Sequence, residues 1–253
     1  MKNNVLKNNI LETECIDYSF LKMYKLLDLT NILIELDCSN TKLRELTNLS
    51  NTLIKLNCSN NEITELTNLP NTLIELYCSN NKITELNNLP ESLTKLYCGN
   101  NQLTELNNLP NTLTDLHCIN NQLTELNNLP NTLIRLECSS NQLTTLNNLP
   151  NTLTDLHCCN NQLTELSNLP NRLQFLVCCN NRLTKLNNLP NTLYYLNYNN
   201  NPLTELSKLK KLDNVKINKL LKVIFLYLVK KRCSKYKEEL IIKACHPSRL
   251  SFI

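Results

Sequence analysis

The chain predicts an α/β-type repeat solenoid: a curved slab with a parallel sheet on its concave face, an extended, polyproline-II-like convex side and a C-terminal helical cap. Two observations predict it. A twenty-residue unit is written almost without change from Leu53 to Leu206, its clearest copy being LPNTLTDLHCINNQLTELNN over 109–128. A fixed period of that length marks stacked units that bury their apolar faces only against one another. Around each Leu-x-Cys, as in Asp115-Leu116-His117-Cys118, apolar and polar residues alternate with the two-residue period of a strand that has one buried face.

The N-terminal segment, 1–32, is read as a capping unit. Its opening, MKNNVLKNNILETECIDY, alternates Lys, Asn and acids with single apolar residues and lacks the continuous apolar core of a signal peptide. Running the period backward places Ile16, Tyr18, Met23, Leu26 and Leu29 on the positions of Leu36, Cys38, Leu43, Leu46 and Leu49. Residues 13–32 therefore form a degenerate first repeat.

The array proper, 33–212, holds nine units. Leu recurs every twenty residues at 33 through 193 and again three residues later at 36 through 196. Cys58, Cys78, Cys98, Cys118, Cys138, Cys158 and Cys178 follow two positions on, after Cys38, as small buried hydrophobes. Each unit thus contributes one short parallel strand, and strands spaced by ~4.8 Å stack into a slab roughly 45 Å long. Asn61, Asn81, Asn101, Asn121, Asn141, Asn161, Asn181 and Asn201 stand where the chain leaves the strand and must bend. Their amides are suited to backbone groups that the bend leaves unpaired. Pro at 70 through 190 holds an extended convex backbone, and twenty residues leave no room for a convex helix.

These columns spell L-x-x-L-x-C-x-x-N-x-L, which resembles the leucine-rich repeat pattern L-x-x-L-x-L-x-x-N-x-L with Cys in the third apolar place. The trailing Leu-x-Asn-Leu-Pro is similar to the bacterial-type subclass, whose repeats end in Leu-Pro-x-Leu-Pro and which is known from secreted bacterial effectors. The Asn, Lys, Ile and Leu bias also looks like leucine-rich repeat proteins of AT-rich giant viruses of the Mimivirus kind. The resemblance implies a protein-binding scaffold that uses the outward strand positions. Some relatives couple such repeats to a ubiquitin ligase in a separate large domain, and the 47 residues after 206 are too few to form one.

Composition excludes other classes. Gly99 is the only glycine, so no phosphate-cradling G-x-x-x-x-G-K-[ST], no G-x-G-x-x-G and no G-x-S-x-G can be written. The three histidines, 117, 157 and 246, form no H-E-x-x-H. No enzyme activity, cofactor or metal is expected. The most apolar run, LLKVIFLYLV over 220–229, falls short of the ~20 residues that span a bilayer. Reduced, buried thiols point to a reducing cytoplasm.

Function then rests on what the repeat does not hold constant. One outward column runs Glu35, Lys55, Glu75, Lys95, Asp115, Arg135, Asp155, Phe175, Tyr195; its strictly alternating signs through Asp155 predict a self-paired ladder. Beside it, Tyr77, Tyr97, His117, Glu137, His157 and Val177, with Ile119 further along, complete a candidate partner-binding set with Phe175 and Tyr195. Exposed aromatics on a sheet are good anchors for a protein partner. A zinc site or a labile Cys159–Cys179 disulfide can be drawn beside His157, Glu137 and Asp155. With no C-x-x-C pairing to support either, inert surface thiols are the expectation. Glu45, Glu65, Glu85, Glu105, Glu125, Glu165 and Glu205 form a solvated acidic flank.

The last segment, 213–253, is read as a final strand at Leu212-x-x-Val215-x-Ile217 and a basic helical cap. Residues 207–253 carry 13 basic and 3 acidic side chains, against 9 and 15 in 33–206. The asymmetry leaves nucleic acid or an anionic surface as an alternative partner of the tail.

Overall fold

The computed structural model describes the strand Cys15–Asp17 and residues 33–204. The readings of Tyr18, Met23, Leu26 and Leu29, of the strand at 212–217 and of the helical cap lie outside these residues.

Ten three-residue strands form one parallel sheet in strict sequence order. They are β1 (Cys15–Asp17), β2 (Glu35–Asp37), β3 (Lys55–Asn57), β4 (Glu75–Tyr77), β5 (Lys95–Tyr97), β6 (Asp115–His117), β7 (Arg135–Glu137), β8 (Asp155–His157), β9 (Phe175–Val177) and β10 (Tyr195–Asn197). Every pairing is offset by one full period, so that Leu36 lies opposite Leu56 and Leu156 opposite Leu176. Ile16 pairs with Leu36 in the same register, so the repeat extends back to β1. A one-residue slip of this register would turn the central Leu of a strand away from the core, and the fixed twenty-residue length between strands prevents it.

The core is a set of columns. Leu56, Leu76, Leu96, Leu116, Leu156 and Leu176 point inward from the strand centres, and Cys58 through Cys178 form a buried ladder directly after them. Burial pushes the Cys98 and Cys178 thiols up to about 12 and the others well above their ordinary range, so they stay protonated.

Asn fastens each unit to the one before. Asn81 Nδ2 donates to the carbonyls of Cys58 and Cys78 at 3.0 and 3.1 Å, while its Oδ1 accepts the Ile63 N–H at 3.0 Å. The same pattern recurs at Asn61, Asn101, Asn121, Asn141, Asn161, Asn181 and Asn201.

Two further Asn columns serve a different purpose. Asn60, Asn80, Asn100, Asn120, Asn160, Asn180 and Asn200, and likewise Asn68, Asn88, Asn108, Asn128, Asn148, Asn168 and Asn188, adopt positive φ of 53–58°. This is the left-handed region that usually calls for glycine, and Asn tolerates it best among residues with a Cβ. The chain bends twice per unit on Asn and so manages with one glycine. The repeated Pro also has a more specific place than an extended backbone: its carbonyl opens a turn, as Pro70 O accepts the Leu73 N–H at 3.0 Å. Thr72 then ties that turn to the preceding unit through Leu53 O at 2.8 Å. No helix occurs among the described residues, and none there is long and apolar enough to cross a membrane.

Candidate functional site: the outward face of the sheet

Strand alternation turns the two residues flanking each central Leu away from the core, and in-register stacking places like positions on adjacent strands. In the second column this builds a continuous chain of contacts. The Tyr77 and Tyr97 rings stack at 4.8 Å between centroids, and Tyr97 stacks on the His117 imidazole at 4.1 Å. His117 Nδ1 lies 2.7 Å from Glu137 Oε2, and His157 Nδ1 lies 3.2 Å from Glu137 Oε1. With the carboxylate accepting, both Nδ1 atoms carry the proton. These bonds hold the Glu137 carboxyl well below the usual carboxylate range. His117 Nε2 is buried and has no hydrogen-bond partner among the described residues.

The aromatics expected to be exposed are therefore half-buried, each sheltering its neighbour. The Tyr77 hydroxyl donates to Glu75 at 2.9 Å, and burial with that carboxylate pushes its phenol up. Burial does the same to Tyr97. Lys55 Nζ stands 5.8 Å from the Tyr77 ring centroid, within cation–π reach.

The first column pairs more selectively than strict alternation predicts. Lys55 lies 4.0 Å from both Glu35 and Glu75, and Lys95 lies 2.6 Å from Glu75. That lysine and the Tyr77 hydroxyl outweigh the cost of burial and keep the Glu75 carboxyl low. Arg135 closes on Asp115 through Nε and Nη2, and Asp115 is 2% exposed. Asp155 makes no ion pair among the described residues and accepts from Thr154 Oγ1. The ladder is thus two clusters and a remainder, because Arg135 can follow only one of the carboxylates on either side.

Ile119 is 36% exposed and leans over Gly99, where an added Cβ would lie 2.7 Å from its Cγ2. Phe175, Val177 and Tyr195 are brought together at the C-terminal end of the face by the register of β9 and β10. Sequence reasoning missed the residue before each strand: Ile34, Ile54 and Ile74 form an exposed apolar row on adjacent units. Its signal was present, since β-branched residues recur there without a core position to explain them.

The expectation of inert surface thiols is overturned. Cys159 is buried and disulfide-bonded to Cys179, because in-register parallel strands bring positions twenty residues apart to a Cα separation of 4.7 Å, within the span such a bond requires. The two sulfurs hold each other and His157 is turned to Glu137, so these residues do not assemble as a zinc donor set. No cluster of three or more His, Cys, Asp or Glu able to hold a metal occurs among the described residues. On the acidic flank, Glu85, Glu105 and Glu125 each accept from the Asn two residues on, at 2.8–2.9 Å.

No family model and no curated protein matches the sequence. Solved structures do. The chain is similar to YopM from Yersinia enterocolitica at 35% identity and a TM-score of 0.61, over 68% of this chain and 43% of that one. It resembles a Shigella effector leucine-rich repeat domain at 28% identity and a TM-score of 0.57, over 73% and 77%. It also resembles a functional domain of InlJ from Listeria monocytogenes that includes a cysteine ladder, at 34% identity and a TM-score of 0.54, over 71% and 47%. The chain spans less than half the length of the Yersinia and Listeria chains it matches. In fold, it is a leucine-rich repeat solenoid with a buried cysteine ladder.

Proposed function

We propose that this protein is a non-catalytic scaffold that binds a protein partner on the concave, outward face of its sheet, through Tyr77, Tyr97, His117, Ile119, Glu137, His157, Phe175, Val177 and Tyr195. The observation that carries the reading is the run from Tyr77 to His157. Five consecutive units place rings and a carboxylate in mutual contact where the fold requires none of them. Every column that the repeat keeps constant already serves the structure, for Leu and Cys fill the core, Asn and Pro shape the bends, and Thr ties the turns. A rigid, pre-stacked aromatic surface loses little side-chain freedom on docking, which suits it to recognition. The likeness to effector and internalin domains supports the same reading.

The test is affinity capture from native cells with the wild-type chain and with Tyr77→Ala, Tyr97→Ala and Phe175→Ala combined. The partner is lost from the triple variant while its circular dichroism spectrum is unchanged. Retention of the partner contradicts the proposal.

A second reading, binding of nucleic acid or an anionic surface through residues 207–253, rests on the excess of 13 basic over 3 acidic side chains there. It requires an affinity that falls steeply with salt and disappears on deleting 207–253.

A further inference from the structure

We propose that Asp155 and Phe175 together seat a lysine or arginine side chain of the protein partner, an inference that rests on the sheet face being the docking surface. The charge ladder breaks at this point. Glu35 and Glu75 each have a cation on an adjacent strand, and Asp115 has Arg135. Asp155 is the next carboxylate in that column. Its two in-register neighbours are Arg135 and Phe175. Arg135 is committed through both Nε and Nη2 to Asp115. The place where alternation would put the next cation is occupied by an aromatic ring.

Asp155 is therefore the one ladder carboxylate without a cation among the described residues. Thr154 Oγ1 donates to its Oδ2 and fixes the group; Oδ1 has no partner among those residues. A fixed carboxylate beside an aromatic ring offers an ammonium or guanidinium its counter-charge and a π face. Beyond Phe175 the same column continues in register to Tyr195, and the preceding Tyr194 is 49% exposed. The alkyl stem of a long basic side chain has apolar surface to lie on there.

The wider face has the matching sign. On the two outward columns Glu35, Asp37, Glu75, Asp115, Glu137 and Asp155 stand against Lys55, Lys95 and Arg135. A metal ion in the same place would find no donor set, since His157 is held by Glu137 and the neighbouring sulfurs are bonded to each other. The surplus of carboxylates also disfavours a phosphate backbone. A cationic side chain on a protein satisfies all of these conditions.

The experiment is selection of a random twelve-residue peptide library displayed on phage against the full chain and, in parallel, against Asp155→Lys. The wild type enriches peptides carrying Lys or Arg next to an apolar residue. A resynthesised winner binds at least tenfold more weakly to Asp155→Asn, a near-isosteric change checked by an unaltered circular dichroism spectrum and melting temperature. Selection on Asp155→Lys replaces the basic residue by Asp or Glu. Peptides that survive Asp155→Asn but are lost on Tyr77→Ala with Tyr97→Ala overturn the cation seat and leave the sheet-face reading standing. Binding indifferent to all these changes overturns both. Failure to enrich any peptide, or self-association of the chain that depends on Asp155 in place of peptide binding, also overturns the seat.

Discussion

Asn121 holds Leu103 to a unit that is not its own: Asn121 Oδ1 accepts the Leu103 N–H at 3.0 Å, while Nδ2 donates to the carbonyls of Cys98 and Cys118 at 3.1 Å. One side chain thus serves three backbone groups in the interior, and it is the sole acceptor of the Leu103 N–H. Asn121→Ala leaves the Leu103 N–H without its acceptor and removes one of the two Asn donors from each carbonyl, Asn101 still serving Cys98 O and Asn141 still serving Cys118 O. A buried unsatisfied polar group costs about 1–3 kcal/mol. The variant is expected to lose about 1–3 kcal/mol in urea unfolding. A loss below about 1 kcal/mol would show that the column is replaceable.

The second Asn column makes the opposite demand. Asn88 is exposed, with φ 53°, so its role is conformational. Asn88→Gly is expected to be near neutral, whereas Asn88→Val forces a β-branched residue into the left-handed region at about 1–2 kcal/mol. Equal denaturation midpoints for the two variants would contradict this assignment.

Those two columns mark how far the fold was legible in the letters. The period, the inward Leu and Cys and the interior Asn could all be read, because burial at a fixed spacing leaves a repeated letter. The left-handed bends could not, since Asn is written identically whether it caps a backbone or adopts positive φ. The single glycine was the available clue: a chain that must turn twice per unit needs another residue for it. The outward columns follow from strand alternation, but their contacts were hidden. Alternating charge in Glu35 through Asp155 does not say which carboxylate Arg135 chooses, and two adjacent Cys letters do not reveal the 4.7 Å Cα separation that joins Cys159 to Cys179.

The cysteine ladder should be chemically silent. Cys58, Cys78, Cys98, Cys118, Cys138, Cys158 and Cys178 are all 0% exposed, and burial pushes the Cys98 thiol up to about 12. Native protein treated with a maleimide at neutral pH is expected to show no modification at these positions by peptide mass spectrometry, and full modification after unfolding. Cys98→Ser places a more polar hydroxyl in the same apolar column and is expected to cost about 1–3 kcal/mol. Labelling of Cys98 in the native state would contradict the packing described.

Glu137 gives the face a pH dependence. His117 and His157 hold its folded-state carboxyl below the ordinary value, so the stabilisation is fully present above the unfolded carboxylate value of about 4.3 and is lost as pH falls toward the lower folded value. Glu137→Gln removes this contribution. The stability gap between wild type and variant is expected to be wide at about pH 5 and to narrow by about pH 2. A gap that stays constant over that range would show that the two imidazoles do not stabilise the carboxylate.

Hydroxyl-radical footprinting of the free chain and of its complex with the captured partner, read by mass spectrometry at single residues, tests the central claim most directly. Tyr77, Tyr97, Phe175 and Tyr195 are predicted to be protected together in the complex, while the Leu-Pro turns at 89–90, 109–110 and 129–130 react as in the free chain. Protection confined to the Leu-Pro turns, with the sheet-face aromatics unchanged, would contradict it.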